Sequence, residues 1–224
     1  IETIKQENER INSPLLGNID TTSFAVSGWS MGGGGAQLAA VIDPTLKAAI
    51  ALCPWLGNPI QPEDLNHPVP LLIFSGQIDQ IAPPSLHADI HYDYTPNTTD
   101  KLLFEVENGS HWIANGPSGG QGEIGNIALA WLKNYLAGDS SYCSFLLDSP
   151  SSASQYLTNI ECGELFLGDV NQDNEVNILD IIYVIQIILE YLEPTEEQIE
   201  SADVNFDGSI DISDIVIMVD MILE

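Results

Sequence analysis

A serine held between glycines, at the junction of a predicted strand and a predicted helix, constrains this chain more than any other feature. Residues 28–32 read Gly-Trp-Ser-Met-Gly, the pattern G-x-S-x-G, after a short apolar run over 23–27 and before a helix-like stretch over 36–42. In the order strand, sharp turn, helix, this pattern predicts that the Ser30 hydroxyl projects from the sheet as a nucleophile. The amide of Met31, at the start of the helix, is then placed to stabilise an oxyanion.

Two polar residues follow the next predicted strands. The buried-strand pattern over 69–74 leads into Asp79, and the pattern over 102–106 leads into His111. Parallel strands bring their carboxyl ends to one edge, so we expect both side chains near Ser30. The order Ser, Asp, His is that of α/β-hydrolases, in which the serine attacks an acyl carbonyl, the histidine moves the proton and the aspartate holds the imidazole. The alternative is a glycine-rich turn with an incidental serine.

The other three histidines lack such a position. His67 precedes a strand, while His87 and His91 lie in a polar helical stretch. A lone histidine is more often a surface or hydrogen-bonded residue than a catalyst, so we predict that these three are not catalytic.

Four sequence blocks in order resemble bacterial cutinases and poly(ethylene terephthalate) hydrolases. The blocks are residues 28–35, residues 51–55, residues 72–74 with 79–83, and residues 109–111 with 114–115. The resemblance covers about residues 1–162 and implies an α/β-hydrolase fold. It also implies Ser30, Asp79 and His111 as the triad, and Met31 as one oxyanion donor.

Three tryptophans are the predicted substrate-binding residues. The resemblance implies Trp55 as an aromatic wall of the cleft, although its place after a strand is equally typical of a core residue. Trp29 precedes the nucleophile, where many relatives have His, and Trp112 follows His111, where Phe or Ser is common. Two indoles flanking the site favour an acyl or aromatic ester group.

The first part of the chain departs from the family pattern. Four strands can be read, at 23–27, 47–52, 70–74 and 102–106. The family's sheet has about twice as many, and residues 1–10 read as the helix before the nucleophile strand. We therefore expect a truncated record that holds only the C-terminal half of an α/β-hydrolase, without the loop that gives the second oxyanion amide.

Two copies of a twelve-residue segment, 169–180 and 203–214, lie further along the chain. Both copies have oxygen-bearing side chains at positions 1, 3, 5, 9 and 12, and position 7 supplies a backbone carbonyl, which is the EF-hand spacing. The sharp turn at position 6 falls on Asn174 and Gly208. The pattern predicts two Ca²⁺ sites, formed by Asp169, Asn171, Asp173, Glu175, Asn177 and Asp180, and by Asp203, Asn205, Asp207, Ser209, Asp211 and Asp214.

An apolar helix is predicted after each loop, over 179–192 and 213–223. The first is too short and too interrupted for a membrane span. Two loop-and-helix units resemble a type I dockerin over about residues 165–224, which implies a cohesin-type scaffold protein as partner. Dockerin specificity positions 10 and 11 are more apolar here than in many relatives: Ile178, Leu179, Ile212 and Ser213. The alternative is a calcium-stabilised appendage without a cohesin partner.

The distribution of charge agrees with a division of the chain into a hydrolase region and an acidic calcium-binding region. The net charge is −28, and after Lys133 there are 19 acidic residues and no Lys or Arg, which excludes nucleic acid as a partner.

The resemblance places a disulfide between Cys143 and Cys162, and hence an oxidising compartment. Cys53, at the end of a buried strand, is predicted to be an inert thiol.

We therefore predict an α/β-hydrolase domain over 1–162, a linker over 163–168 and a small all-α dockerin-like calcium domain over 169–224. The expected function is a serine ester hydrolase that cleaves polyester or cutin-type esters without a catalytic cofactor. We expect it to be secreted or associated with the cell surface. An esterase, lipase or dienelactone-hydrolase relative acting on small esters is one alternative. A calcium-stabilised binding protein with a passive hydrolase half is another.

Overall fold

The structure is a computed structural model that describes residues 1–57, 59–162, 166–173 and 175–223. These residues form two compact units, the first from Ile1–Gly138 with Tyr142–Glu161, and the second from Asp139–Ser141 with Cys162–Glu224. Part of the predicted linker, residues 163–165, lies outside the described residues, so the boundaries given above stay a prediction.

One mixed sheet organises the first unit. Its strands are β1 (Ala25–Trp29), β2 (Ala48–Leu52), β3 (Leu71–Gly76), β4 (Lys101–Val106) and β5 (Ala153–Thr158). They lie side by side in chain order; β1 to β4 are parallel and β5 runs antiparallel to β4. The central strands β3 and β4 are buried along their whole length, which is why their sequences are nearly continuous apolar runs. The α/β fold predicted from the sequence is confirmed.

Helices and short 3₁₀ turns connect the strands. The helices are α1 (Glu2–Glu9), α2 (Met31–Ile42), α3 (Ala88–Tyr94) and α4 (Glu123–Tyr135). The 3₁₀ turns are Pro62–Leu65, Pro84–Leu86, Gly119–Gly122, Ser140–Tyr142 and Ser144–Leu146. The apolar side chains that these elements bury include Ala40, Leu46, Ala49, Val69, Leu71, Ile73 and Leu103.

The fifth strand was missing from the sequence prediction, which gave four. It lies partly in the serine-rich stretch before Cys162, and its side chains are only half-buried, so no apolar run marks it. Tyr156 fixes its place: its ring packs edge-on to Phe104 at 5.9 Å, and its hydroxyl donates to the Leu146 carbonyl at 3.0 Å. An edge strand with one polar face carries too weak a periodicity to be read from its sequence.

A buried lysine joins the start of β4 to the end of α3. The Lys101 ammonium donates to the carbonyls of Tyr92 and Thr95 at 2.8 and 2.6 Å, and lies 4.5 Å from the Tyr92 ring centroid. Carbonyls at a helix C-terminus carry partial negative charge, so they satisfy a cation that would otherwise be costly to bury. Burial nevertheless lowers the Lys101 pKa.

The three histidines that the sequence predicts to be non-catalytic are buried rather than on the surface. The His91 ring contacts the Gln37 side chain through Nδ1, the Gln37 amide donates to Thr95 Oγ1 at 3.2 Å, and the Thr95 hydroxyl donates to the His91 carbonyl at 2.8 Å. Both ring nitrogens of His67 have no hydrogen-bond partner among the described residues. Burial lowers the pKa of each histidine, and that of His91 to about 3.

We predict that His91 makes the first unit less stable as the pH falls from 6.5 toward 5. Its folded pKa lies below the ordinary value of 6.5, so the unfolded chain binds the extra proton in this range, at a cost of up to about 1.4 kcal/mol per pH unit. His91→Gln, which keeps a polar group facing Gln37 but does not titrate, should show a shallower dependence. Urea unfolding followed by tryptophan fluorescence reports on this unit, which contains all four tryptophans. Equal pH slopes for the two proteins would contradict the prediction.

The second unit is built around three helices: α5 (Ile178–Ile188), α6 (Glu196–Ala202) and α7 (Ile212–Leu223). Its core consists of Val170, Ile181, Val184, Ala202, Val204 and Met218. Helix α6 was not predicted because it is short and polar. The signal that could have found it is the capping box of Thr195 with Gln198 at its start. Helix α5 ends four residues before the predicted end at 192. Among the described residues, none of the helices has the length and apolarity to cross a membrane.

The cysteines behave as the sequence and the resemblance imply. Cys143 and Cys162 form the disulfide, which is confirmed. Cys53 is free and buried at the end of β2.

Candidate active site

Ser30 occupies a strained turn between β1 and α2. Its backbone has φ 57° and ψ −121°, a region that side-chain-bearing residues rarely adopt. Gly28 permits the turn, because a Cβ there would lie 2.0 Å from the Gly32 carbonyl oxygen. A Cβ on Gly32 would meet no other atom within 4 Å. Of the two glycines in the motif, therefore, only Gly28 must lack a side chain for steric reasons. The turn is held by the Ser30 carbonyl, which accepts from the Trp55 amide at 2.9 Å.

The loops after β3 and β4 are fastened to each other. A Cβ on Gly76 would lie 2.6 Å from the Gly109 carbonyl oxygen, so the two backbones meet at a glycine. The Ile78 amide donates to that carbonyl at 2.8 Å, and the Asn108 amide donates to the Gln77 side chain at 2.9 Å. These contacts fix the relative positions of the two loops that carry Asp79 and His111.

The structure brings the side chains of Ser30, His111 and Asp79 into one hydrogen-bonded chain. His111 Nε2 lies 3.0 Å from Ser30 Oγ, and His111 Nδ1 lies 2.6 Å from Asp79 Oδ2. The other carboxylate oxygen, Oδ1, accepts from the amides of Ile81 and Ala82 at 2.8 and 2.9 Å. With Asp79 accepting from Nδ1–H, Nε2 carries the lone pair that faces the serine hydroxyl. Asp79 and His111 are both buried, so water does not compete for these bonds.

Trp29 holds the histidine loop as well as flanking the site. Its indole N–H donates to the His111 carbonyl at 3.1 Å, and its ring lies 5.1 Å from the imidazole. The sequence pattern gave Trp29 a substrate contact and did not reveal this bond, which joins residues 82 positions apart.

The other two predicted cleft tryptophans have different neighbours. Trp112 packs against Trp29 at 5.2 Å and is 56% exposed. Trp55 is half-buried, and its ring centroid lies 6.0 Å from that of His87. The structure thus places aromatic surface beside Ser30, and the role of these rings toward a substrate stays a prediction.

Met31 is the first residue of α2, so its amide is among those that have no acceptor within the helix. This amide directly follows the nucleophile in the chain, as the sequence pattern predicts for an oxyanion donor. Its side chain is 70% exposed and adds apolar surface near Ser30.

Cys53 lies beside the hydrogen-bonded chain. Ligand atoms of Cys53, Asp79 and His111 lie within 4.8 Å of one another, a compact group of possible metal ligands in the described part of the chain. Burial, with a smaller contribution from the Asp79 charge, raises the pKa of the Cys53 thiol to about 12. A neutral thiol is a poor metal ligand, and the Asp79 oxygens already accept hydrogen bonds. We therefore interpret Cys53 as a neutral neighbour of the triad.

The predicted calcium ligands of the first loop turn their oxygens toward the loop backbone. Asp180 Oδ1 and Oδ2 accept from the Asn171 and Asn177 amides, both at 2.9 Å, and Asp169 accepts from the Asp173 amide at 3.1 Å. The amide of Glu175, at position 7 of the loop, donates to Asp173 Oδ1 at 3.0 Å. Asn174 lies outside the described residues.

The second loop repeats this arrangement. Asp214 accepts from the Asn205 and Asp211 amides at 3.4 and 2.9 Å, and Asp203 accepts from the Asp207 amide at 3.2 Å. The Ser209 amide donates to Asp207 at 2.9 Å. Gly208 has φ +83°, the left-handed turn predicted at position 6.

The buried carboxylates fit a bound cation. Asp180 and Asp214, the residues at position 12, are fully buried although the sequence has no Lys or Arg beyond Lys133. Carboxylate, amide, hydroxyl and carbonyl oxygens form the donor set that Ca²⁺ prefers. Whether both loops bind the ion stays a prediction.

Comparison with known proteins identifies two segments. Residues 1–162 match the family model described as PET hydrolase-like, and residues 167–223 match the Dockerin type I domain. Cutinase est1 of Thermobifida alba is 39% identical over 139 residues, which is 62% of this chain and 45% of the relative. Cutinase 1 of Thermobifida cellulosilytica is 37% identical over 141 residues, or 63% of this chain and 52% of the relative.

A third relative carries a different name. Bis(hydroxyethyl) terephthalate hydrolase of Streptomyces coelicolor is 36% identical over 138 residues, covering 62% of this chain and 43% of the relative. The chain thus spans about half the length of the curated relatives it matches. Both sequence resemblances, to the cutinase and polyester hydrolase group and to dockerins, are confirmed.

We predict that Trp29→Phe slows covalent labelling of Ser30 by a fluorophosphonate about fivefold, because the loss of one hydrogen bond to the His111 carbonyl costs about 1 kcal/mol. Labelling rates followed by gel fluorescence measure this without a polymer substrate. Phe145→Leu is the control: it alters an exposed aromatic ring that has no predicted role in the site, and its rate should stay within about twofold of the parent. An unchanged rate in Trp29→Phe would show that the bond does not position the histidine.

Proposed function

The chain belongs to the PET hydrolase-like family, and from this premise we propose that it is a secreted serine ester hydrolase that cleaves polyester or cutin-type ester bonds. The observation that carries the proposal is the hydrogen-bonded chain from Ser30 through His111 to Asp79. Ester hydrolysis as the reaction class is also supported by the cutinase and terephthalate hydrolase relatives.

The proposed reaction is a two-step acyl transfer. Ser30 Oγ attacks the ester carbonyl carbon while His111 Nε2 takes its proton, and the tetrahedral oxyanion faces the Met31 amide. His111 then protonates the leaving alcohol, and the C–O bond to that alcohol breaks to give acyl-Ser30. Water attacks the acyl group with His111 again as base, which releases the acid and restores the serine.

The contacts around His111 hold its imidazole in the orientation and tautomer that the proposed reaction needs. The short Asp79 contact selects the tautomer and stabilises the imidazolium formed in each step. Two backbone amides on Asp79 Oδ1 keep that carboxylate from rotating away. The Trp29 bond to the backbone of His111 restrains the loop that carries the ring.

Bulky or aromatic esters are the proposed substrates because apolar surface surrounds the nucleophile. Trp112 and Met31 are mostly exposed, and Ile81, next to the Asp79 loop, is 55% exposed. Exposed aromatic and aliphatic surface beside a nucleophile suits the chain of an insoluble ester polymer. A relative acting on small soluble esters is the second candidate, since the same triad serves both substrate classes.

We predict that the chain releases monomers from a polyester film and that Ser30→Ala lowers this rate at least about a thousandfold. Since the chain spans about half of its relatives, it is tested alone and fused behind the N-terminal part of a cutinase relative. Product release is measured by chromatography, with a soluble short-chain ester in parallel.

The outcomes separate the candidate functions. Film hydrolysis that depends on Ser30 supports the polyester hydrolase. Turnover of the soluble ester alone favours the small-ester esterase. No turnover of either ester by folded protein in both formats overturns the enzyme proposal and favours a binding protein with a passive hydrolase half.

The Dockerin type I domain has a separate proposed role, which is calcium-dependent docking to a cohesin-type scaffold protein. Bound Ca²⁺ would supply positive charge to loops that contain carboxylates and no basic residue, and so stabilise the unit. The residues that would hold it are the twelve loop residues given above, with Glu175 and Ser209 contributing carbonyls. Attachment outside the cell agrees with the Cys143–Cys162 disulfide.

We predict that millimolar CaCl₂ raises the melting temperature of the second unit relative to EGTA, by an amount equivalent to about 2.7 kcal/mol for each occupied site when Ca²⁺ is a hundredfold above its Kd. Asp180→Asn combined with Asp214→Asn should lose most of this increase. Asp220→Asn, an exposed acid on α7 outside both loops, should keep it. Calorimetry with and without calcium gives the comparison, and an identical response in the double variant would rule out these carboxylates as ligands.

A further inference from the structure

Three types of metal ligand meet at the carboxyl ends of β2, β3 and β4. Cys53 directly follows β2, and the loops after β3 and β4 carry Asp79 and His111, so each of three neighbouring strands contributes one residue. One sulfur, one carboxylate oxygen and one imidazole nitrogen lie within 4.8 Å of one another. The three residues are only 1, 4 and 3% exposed. The group is therefore compact, buried and chemically mixed.

The spacing of these atoms is close to what one metal ion requires. Zn²⁺ binds sulfur at about 2.3 Å and nitrogen or oxygen at about 2.0–2.2 Å, so the ligands of one tetrahedral ion lie about 3.3–3.8 Å apart. His111 Nδ1 and Asp79 Oδ2 lie 2.6 Å apart across a shared proton. These two atoms would have to separate by about 1 Å to admit an ion, which small side-chain rotations supply.

The Asp79 carboxylate offers an ion one oxygen without losing its backbone contacts. Oδ1 accepts from the Ile81 and Ala82 amides, and these bonds would hold the carboxylate in place. Oδ2 accepts the proton of His111 Nδ1, which is the proton that an ion would replace. An ion at this point would therefore exchange one hydrogen bond for two metal–ligand bonds.

Charge and ligand type favour a divalent ion with a high affinity for sulfur. A Cys53 thiolate and the Asp79 carboxylate together carry two negative charges, so a divalent ion would leave the buried group without net charge and offset its desolvation. Cys53 is a neutral thiol in the resting protein, and only an ion that binds thiolate strongly displaces its proton. Thiolate and imidazole favour Zn²⁺ over Ca²⁺, whereas the loops of the second unit offer oxygen ligands.

We propose that Cys53, Asp79 and His111 form an inhibitory site for a thiophilic divalent cation such as Zn²⁺. The ion binds the Cys53 thiolate, Asp79 Oδ2 and His111 Nδ1. The thiol proton leaves to solvent and the imidazole proton moves from Nδ1 to Nε2, so one proton is released for each ion bound. Nε2 then presents an N–H to Ser30 and no longer accepts the serine proton. The inhibition rests on the proposed role of Ser30, but binding of the ion does not.

Binding is tested with the full chain in saturating CaCl₂, which competes for the oxygen ligands of the second unit. CdCl₂ is the probe, because a cadmium–thiolate bond produces an ultraviolet charge-transfer band. The sequence has three cysteines, and Cys143 and Cys162 form the disulfide, so the band reports on Cys53 alone. We expect a band that saturates at one ion per chain.

Inhibition is measured as the rate at which a fluorophosphonate labels Ser30 after incubation with ZnCl₂ in the same buffer. When Zn²⁺ is about tenfold above its Kd, the rate should fall about tenfold, because only the ion-free protein reacts. Calcium-saturated EDTA removes Zn²⁺ without removing Ca²⁺ and should restore the rate.

Two variants that each remove one buried heavy atom identify the ligand. Cys53→Ala removes the sulfur and should lose the cadmium band and most of the inhibition, when its rate with Zn²⁺ is compared with its own rate in calcium-saturated EDTA. Ser75→Ala is the matched control, because Ser75 lies on the neighbouring strand β3 and is also 1% exposed. This variant should keep both the band and the inhibition. Cooperative urea unfolding shows that each variant is folded.

The possible results separate this inference from the proposed function. Zinc inhibition that persists in folded Cys53→Ala places the ion elsewhere and overturns the site. A parent chain without a cadmium band also overturns it. A band without inhibition contradicts the contact with His111. Failure of Ser30 to label even in calcium-saturated EDTA contradicts its role as the nucleophile, and the cadmium band then still decides whether the ion site exists.

Discussion

Parallel pairing of β1 to β4 is the constraint on which the candidate site depends. Because these strands run in one direction, the turns that follow β1, β3 and β4 emerge at the same edge of the sheet. Ser30, Asp79 and His111 are each attached to one of those turns. Residues separated by 81 positions in the chain thereby meet at hydrogen-bond distance.

Two glycines, Gly28 and Gly76, allow the backbones around the site to pack closely enough to fix its geometry. Gly28 lets the strand pass close to the start of α2, and Gly76 lets the Asp79 loop touch the His111 loop at Gly109. A side chain at either position would separate backbones that now lie in contact. The strained φ of Ser30 persists because the surrounding bonds, including the one from the Trp55 amide, hold the turn from both sides.

In the second unit, a small apolar core accompanies buried carboxylates that have no basic residue nearby in the sequence. Its core is small, and each loop buries a carboxylate, Asp180 or Asp214, in a segment of one charge sign. Because Ca²⁺ prefers such hard oxygen ligands, we expect the stability of this unit to depend on a bound cation. The cation proposed for the loops would also set the directions of α5 and α7, because each helix begins inside one of the two loops.

The sequence by itself determined the nucleophile turn, the order of the three polar residues and the two repeated loops, because each is a local pattern with a fixed backbone consequence. Tertiary structure alone decided what depends on distant partners. Strand β5 is defined by pairing with β4, the Trp29 bond is made to the backbone of His111, and His67, His87 and His91 are buried by elements remote in sequence. The hydrophobic periodicity of a sequence indicates which residues are buried, but it does not indicate which residues distant in the chain they contact.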